Sequence, residues 1–155
     1  MNNIQEQYAE FNATQKKVDE LYHRVAVQLG IPDSTLWVLY CLTEHDMIHT
    51  QNSIAEIMGV PKQTINSAIN NLVKNGYIYL EQMAVARNSK SIHLTETGKA
   101  YCRKIIQPIK DTEMKAVNRL TEKEQETYLA LSIKHNQFLQ EEFHTLLAAL
   151  RGETP

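Results

Sequence analysis

Between Gln51 and Gly76, two short apolar-striped segments are separated by only Gly59-Val60-Pro61, and this spacing constrains the chain more than any other feature. Glycine stops the first segment, and proline starts the second at a first-turn position where a missing N–H costs nothing. In the second segment Ile65, Ala68, Ile69, Leu72 and Val73 recur at i, i+3, i+4, i+7 and i+8, which is one stripe of a helix. The opposite stripe carries Gln63, Ser67, Asn70 and Lys74, with Lys62, Thr64 and Asn66 at its margins. Amide, hydroxyl and ammonium groups are present there, and no carboxylate. Two helices joined this tightly form a helix-turn-helix, and a second helix dressed this way suits the major groove of DNA.

Composition bears on that reading through the placement of charge. The net charge is −2, which alone does not suggest a nucleic-acid binder. Residues 1–56, however, hold 3 Lys/Arg against 8 Asp/Glu, residues 57–110 hold 8 against 2, and residues 111–155 hold 5 against 8. The helix-turn-helix therefore lies in a basic island between acidic flanks, as expected of a phosphate-facing centre with arms of another purpose. No apolar run approaches membrane-spanning length and the N-terminus has no basic-then-apolar leader, so a cytoplasmic protein without a membrane partner is expected. Cys41 and Cys102 lack CxxC spacing and read as reduced thiols in packed helices; a redox-sensing role is the lesser alternative.

Residues 3–29 contain no Pro or Gly. Ile4, Tyr8, Phe11, Val18, Tyr22, Val25 and Leu29 follow steps of four and three, with Gln15 in the one polar gap. This period of 3.5 fits either an amphipathic helix on its own core or a helix packed along a partner helix. The second is favoured, because so long a first helix has little domain beside it. Gly30 and Pro32 stop it, and Asp33 or Ser34 can cap a helix over 34–44 with Leu36, Trp37, Leu39, Tyr40 and Cys41 as core candidates. His45 and His49, in the polar connection 44–49, share a helical spacing but have no acidic or thiolate partners nearby, and read as surface histidines rather than metal ligands.

After Thr50 caps the first helix of the motif and Asn75-Gly76 ends the second, residues 77–80 and 91–94 read as two strands. The long tip between them, 83–90, carries Arg87, Asn88, Ser89 and Lys90. A hairpin in this position is a wing, whose basic tip reaches along the backbone or into the minor groove. From Thr95 or Thr97 a helix is expected to about Arg119 with a kink at Pro108. Thr121-Glu122-Lys123-Glu124 has capping-box form and opens a last helix. Its apolar row Tyr128, Leu131, Phe138, Leu139, Phe143, Leu146, Leu147 and Leu150 exceeds what the remaining chain can bury, which points to a second copy.

The order of these elements, the SIAEIMGVPKQTINSAINNLVKNGYI stretch and the Ile92-His93-Leu94-Thr95 wing ending followed by Glu96-Thr97-Gly98 resemble the MarR family of bacterial winged-helix regulators over nearly the whole chain. The resemblance implies a mainly α (α+β) fold, a winged helix-turn-helix over 33–98 flanked by dimerisation helices at 1–32 and 99–155. It further implies a homodimer that represses from a pseudo-palindromic operator until a small ligand, metal or oxidant changes the spacing of its reading helices. The family's Asp-x-Arg wing motif falls on Ala86-Arg87-Asn88, so the Asp is absent and Asn88 stands for the Arg, with Arg87 beside it.

The DNA-contacting set is therefore Lys62, Gln63, Thr64, Asn66, Ser67, Asn70, Lys74, Arg87, Asn88 and Lys90, with Gln63 suited to adenine and the cations to phosphates. His23, Trp37 and Tyr40 are the candidate lining for a small aromatic or phenolic ligand. No cofactor, metal site or catalytic residue is expected, since no Gly-rich phosphate loop, GxSxG or ligand cluster occurs. A different class, a dimeric helical adaptor whose winged fold no longer reads DNA, is the alternative suggested by the altered wing motif and acidic net charge.

Overall fold

Glycine and proline punctuation sets the element ends. In the computed structural model, which describes residues 3–44, 47–84 and 89–152, helix α1 runs Asn3–Leu29. It stops where Gly30 turns left-handed (φ +68°) and the Ile31 N–H reaches back to the Ala26 carbonyl at 3.1 Å. Helix α2 (Asp33–Leu42) follows without the expected side-chain cap, because Pro32 occupies the N-cap position. Asp33 instead sits in the first turn and takes the His23 ring, Nδ1 to Oδ2 2.9 Å, so the carboxylate ties α2 to α1. The chain divides into two compact units, Met1–Ile109 and Lys110–Pro155.

The first unit continues with α3 (Gln51–Met58), α4 (Lys62–Lys74), strands β1 (Ile78–Gln82) and β2 (Lys90–Leu94), and α5 (Glu96–Ile105). The arrangement is a winged helix-turn-helix, mainly α with one small antiparallel sheet. Its core gathers Leu36, Val38 and Leu39 from α2, Ile54 from α3, Ile65 and Leu72 from α4, with Ile78, Ile92 and Ile106 closing it. Each such side chain contributes roughly 1.5–3 kcal/mol of burial. Cys41 and Cys102 are both buried free thiols, as expected. Of α1 only Ala26 is buried; Ile4, Tyr8, Phe11 and Val18 stay exposed along the seam.

Three expectations need correction. His49 is not on the surface: it is 3% exposed, and neither ring nitrogen has a hydrogen-bond partner among the described residues. The reason is that the segment before α3 joins the sheet, with the Ile92 N–H donating to the His49 carbonyl at 2.9 Å and Thr50 bridging Ser91. His45 lies outside the described residues. Second, the helix after the wing is not one kinked rod but two, α5 and α6 (Gln107–Val117), parted at Ile106. Pro108 removes the N–H that would continue α5 and is harmless in the first turn of α6. Third, Val73 lies outside the buried stripe of α4, at 40% exposure.

In the second unit, α7 (Glu122–Leu150) begins at the capping box read from the sequence. The Thr121 N–H donates to Glu124 Oε2 at 2.8 Å and the Glu124 N–H to Thr121 Oγ1 at 3.4 Å. The Thr121 N–H and then its hydroxyl, both donating to Glu124 Oε2 at 2.8 Å, hold the Glu124 carboxyl below the usual carboxylate range. Thr121→Ala is expected to lower stability by about 1 kcal/mol in a urea melt at neutral pH. A carboxyl depressed on folding stabilises fully above its unfolded pKa and loses that contribution as pH falls through the folded one. The gap between wild type and variant should therefore narrow on acidification through that window. Because the Thr121 backbone N–H survives the substitution, a gap independent of pH would show that the hydroxyl–carboxylate bond takes no part.

Candidate nucleic-acid interface

Helix α4 presents the face that its sequence period implies. Ile65, Ala68, Ile69 and Leu72 are buried, and Lys62, Gln63, Thr64, Asn66, Ser67, Asn70 and Lys74 are all exposed on the other side. No carboxylate interrupts that side. Two of its groups differ in availability: the Ser67 hydroxyl donates back to the Gln63 carbonyl at 3.1 Å, so it faces outward as an acceptor only. The Gln63 and Asn70 carboxamides have no hydrogen bond among the described residues and can approach base edges with both donor and acceptor.

Neighbouring elements fix the helix at both ends. The Gln51 side chain on α3 donates Nε2–H to the Lys62 carbonyl at 3.0 Å, holding the first turn. At the other end Gly76 turns left-handed (φ +71°), and the Tyr77 N–H closes on the Leu72 carbonyl at 3.0 Å. The Thr95 hydroxyl donates to the Gly76 carbonyl at 2.6 Å and accepts from the Gly98 N–H at 2.9 Å. One threonine thus joins the stop of α4 to the start of α5. Tyr77 and Tyr101 stack over the same joint, centroids 4.3 Å apart, and burial followed by the Tyr77 neighbour pushes the Tyr101 phenol above its ordinary range.

The hairpin pairs Ile78 with Leu94 through Gln82 with Lys90. Its strands reach further than the pattern 77–80 and 91–94, so Lys90 is the first residue of β2 rather than part of the tip. Alternation then puts Leu80, Gln82, Lys90 and Ile92 on the face toward α3 and α4, and Tyr79, Glu81, Ser91 and His93 on the other. On that outer face the His93 ring stacks on Tyr79 at 5.2 Å and lies 2.8 Å from the Ser91 hydroxyl. Arg87 and Asn88, with Ala86, lie outside the described residues.

A notch of about 290 Å³ opens between the first turn of α3, α4 and the hairpin. Asn66 and Lys90 line it, with Ser89, which the sequence places in the wing tip but outside the contact set, and Asn52 and Gln82, which the sequence reading missed. Carrying the strand register out to its ends would have placed Gln82 opposite Lys90. Asn52 leaves no periodic signal, because it is simply an exposed residue in the first turn of α3. A second recess, about 370 Å³, lies between the end of α2 and α5 and includes Glu44, Lys99 and Arg103.

The three candidate ligand-pocket residues are engaged with their surroundings. His23 pairs with Asp33, and Trp37 packs between Tyr22 (4.8 Å) and Tyr40 (5.5 Å) as a half-buried aromatic cluster joining α1 and α2. Neither recess includes any of the three. Among the described residues, no three His, Cys, Asp or Glu side chains assemble as a metal-ligand group. No single helix of those residues is long and apolar enough to cross a membrane.

Comparison with known proteins follows the same lines. A profile described as MarR family matches residues 29–85. No curated protein sequence matches the chain. Among solved structures, a MarR family regulator from Neisseria meningitidis is 25% identical, with a TM-score of 0.70 over 94% of this chain and 98% of that one. The MepR–DNA complex from S. aureus is 23% identical, with a TM-score of 0.66 over 86% of this chain and 97% of that one. MepR in its DNA-binding conformation is 22% identical, with a TM-score of 0.73 over 85% and 98%.

Proposed function

We propose that this chain, which belongs to the MarR family, is a DNA-binding transcriptional regulator that works as a homodimeric, ligand-responsive repressor on a pseudo-palindromic operator. The observation that carries the reading is the exposed, carboxylate-free face of α4 set beside a hairpin. Its fold is shared with MepR, which is known in complex with DNA. In this reading residues 33–98 engage DNA, while 1–32 and 99–155 hold two copies together in the cytoplasm, where the operator is. Dimeric helix-turn-helix proteins read half-sites about one helical turn apart, so a ligand that changes the spacing of two reading helices by a few ångströms releases the operator. An aromatic ligand at His23, Trp37 and Tyr40 would have to displace the contacts that join α1 to α2 there, and so would exert that leverage.

Fluorescence anisotropy against retained genomic fragments, at several salt concentrations, tests the reading. Binding should weaken steeply with salt, since Lys62, Lys74, Lys90 and Arg87 displace counterions in each copy. Gln63→Ala and Asn70→Ala should each cost about 1–3 kcal/mol on the operator, with little effect on random duplex. Neither touches the core, so thermal stability should be unchanged. Complete absence of salt-sensitive binding would favour the adaptor alternative instead.

A further inference from the structure

Of the two recesses described above, the notch beside α4 is the one whose lining contains a cation and no carboxylate. Its floor is apolar, formed by Ile69, Leu80 and Ile92, so any polar occupant must satisfy its oxygens at the walls. The walls come from three separate elements: Asn52 on α3, Asn66 on α4 and Lys90 on β2. All three side chains are exposed and make no hydrogen bond or ion pair among the described residues. Two further polar residues, by contrast, hold the walls in place. Gln51 donates to the Lys62 carbonyl at 3.0 Å, and Gln82 Nε2 donates to the Ser89 carbonyl at 3.1 Å. The nearest hairpin carboxylate, Glu81, is turned to the opposite face by strand alternation.

We infer that this notch seats a single phosphate of the DNA backbone, with Lys90 supplying the charge and the carboxamide N–H groups of Asn52 and Asn66 donating to its non-bridging oxygens. The inference rests on the reading that α4 lies in the major groove. Base edges then face the outward side chains of α4, whereas a recess beside the helix and under the hairpin meets the rim of the groove, where the backbone runs. A donor-rich wall suits a group that only accepts, and a phosphodiester is such a group. One phosphate held by α3, α4 and β2 together also fixes the distance between the hairpin and the reading helix. That makes Asn52 and Lys90 positioning contacts rather than sequence readers.

The test uses the full chain, the most tightly retained genomic duplex and a random duplex of equal length. Lys90→Gln and Asn52→Asp should each weaken binding to both duplexes alike by about tenfold, leaving their ratio unchanged. The salt slope should fall by about one per bound copy for Lys90→Gln. Asp is favourable in the first turn of a helix, so the loss caused by Asn52→Asp cannot come from unfolding, and a melting curve will show this. Neutral methylphosphonates, placed one position at a time, should reveal one phosphate whose neutralisation weakens wild type clearly more than it weakens Lys90→Gln. Wild-type affinity in both variants, with no such position, overturns the seat while leaving DNA binding by α4 intact. A change in the ratio between duplexes overturns it too, since the notch would then read bases. Failure of wild type to bind either duplex at low salt overturns the functional reading and the seat together.

Discussion

Gly98→Ala is expected to destabilise the winged-helix unit by about 3 kcal/mol, at the upper end of the range for overpacking. The demand at this position is for space and not for an unusual backbone angle. A methyl group there would run into the carbonyl oxygen and carbon of Tyr77 and press on Leu94. The first two are backbone atoms and cannot rotate away. Moving them would also disturb the 3.0 Å bond from the Thr95 N–H to the Tyr77 carbonyl and the Tyr77–Tyr101 stack. In urea, the midpoint should fall at unchanged slope. Thr97→Ala, one residue away and exposed, should stay within about 0.5 kcal/mol of wild type. Equal midpoints for the two variants would mean that the joint yields freely, contrary to the packing described above.

The second large effect concerns the apolar row on α7. Leu131 and Phe138 are 60% and 51% exposed, and no residue of this 29-residue helix is buried. The double change Leu131→Glu, Phe138→Glu therefore removes little packing within the chain. If a second copy covers this row, as proposed, the substitutions put two carboxylates per copy into that contact and should turn the dimer into a monomer. Sedimentation would show the mass halved. Linking two reading heads multiplies affinity by about 10²–10⁴, so operator binding should fall by a factor in that range. Contacts of one head with a half-site should survive. An unchanged mass would place the partner's surface elsewhere, and an unchanged operator affinity at halved mass would mean that one head suffices.

How much of this was legible in the sequence depended on how local each cause is. The α4 stripe apart from Val73, the stops at Gly59 and Gly76, and the Thr121–Glu124 cap are set within four or five residues, and they fall where the sequence puts them. His49 does not, because its burial comes from a pairing with β2 some forty residues onward, which no local polarity pattern reveals. Asp33 has the side chain of a cap, yet Pro32 takes the N-cap position and Asp33 pairs instead with a histidine on the preceding helix. At Pro108 the sequence marks the place but not whether the helix bends or ends. The reading face was accessible by the same logic, since exposure on α4 follows from its period, whereas the notch required three elements to meet and so left only Asn66 and Lys90 as prior hints.

The antiparallel pairing has one more consequence. Strand β2 has β1 along one side, and the segment at His49–Thr50 engages part of the other. Strand β1 has no second strand beside it among the described residues, so its outer side is an edge at which a foreign strand could pair. Its five-residue length limits that hazard, and Glu81 places a charge midway between Tyr79 and the end of the strand. Protection of this edge against foreign pairing thus depends on its short length and one carboxylate. That carboxylate is also the one that alternation turns away from the notch.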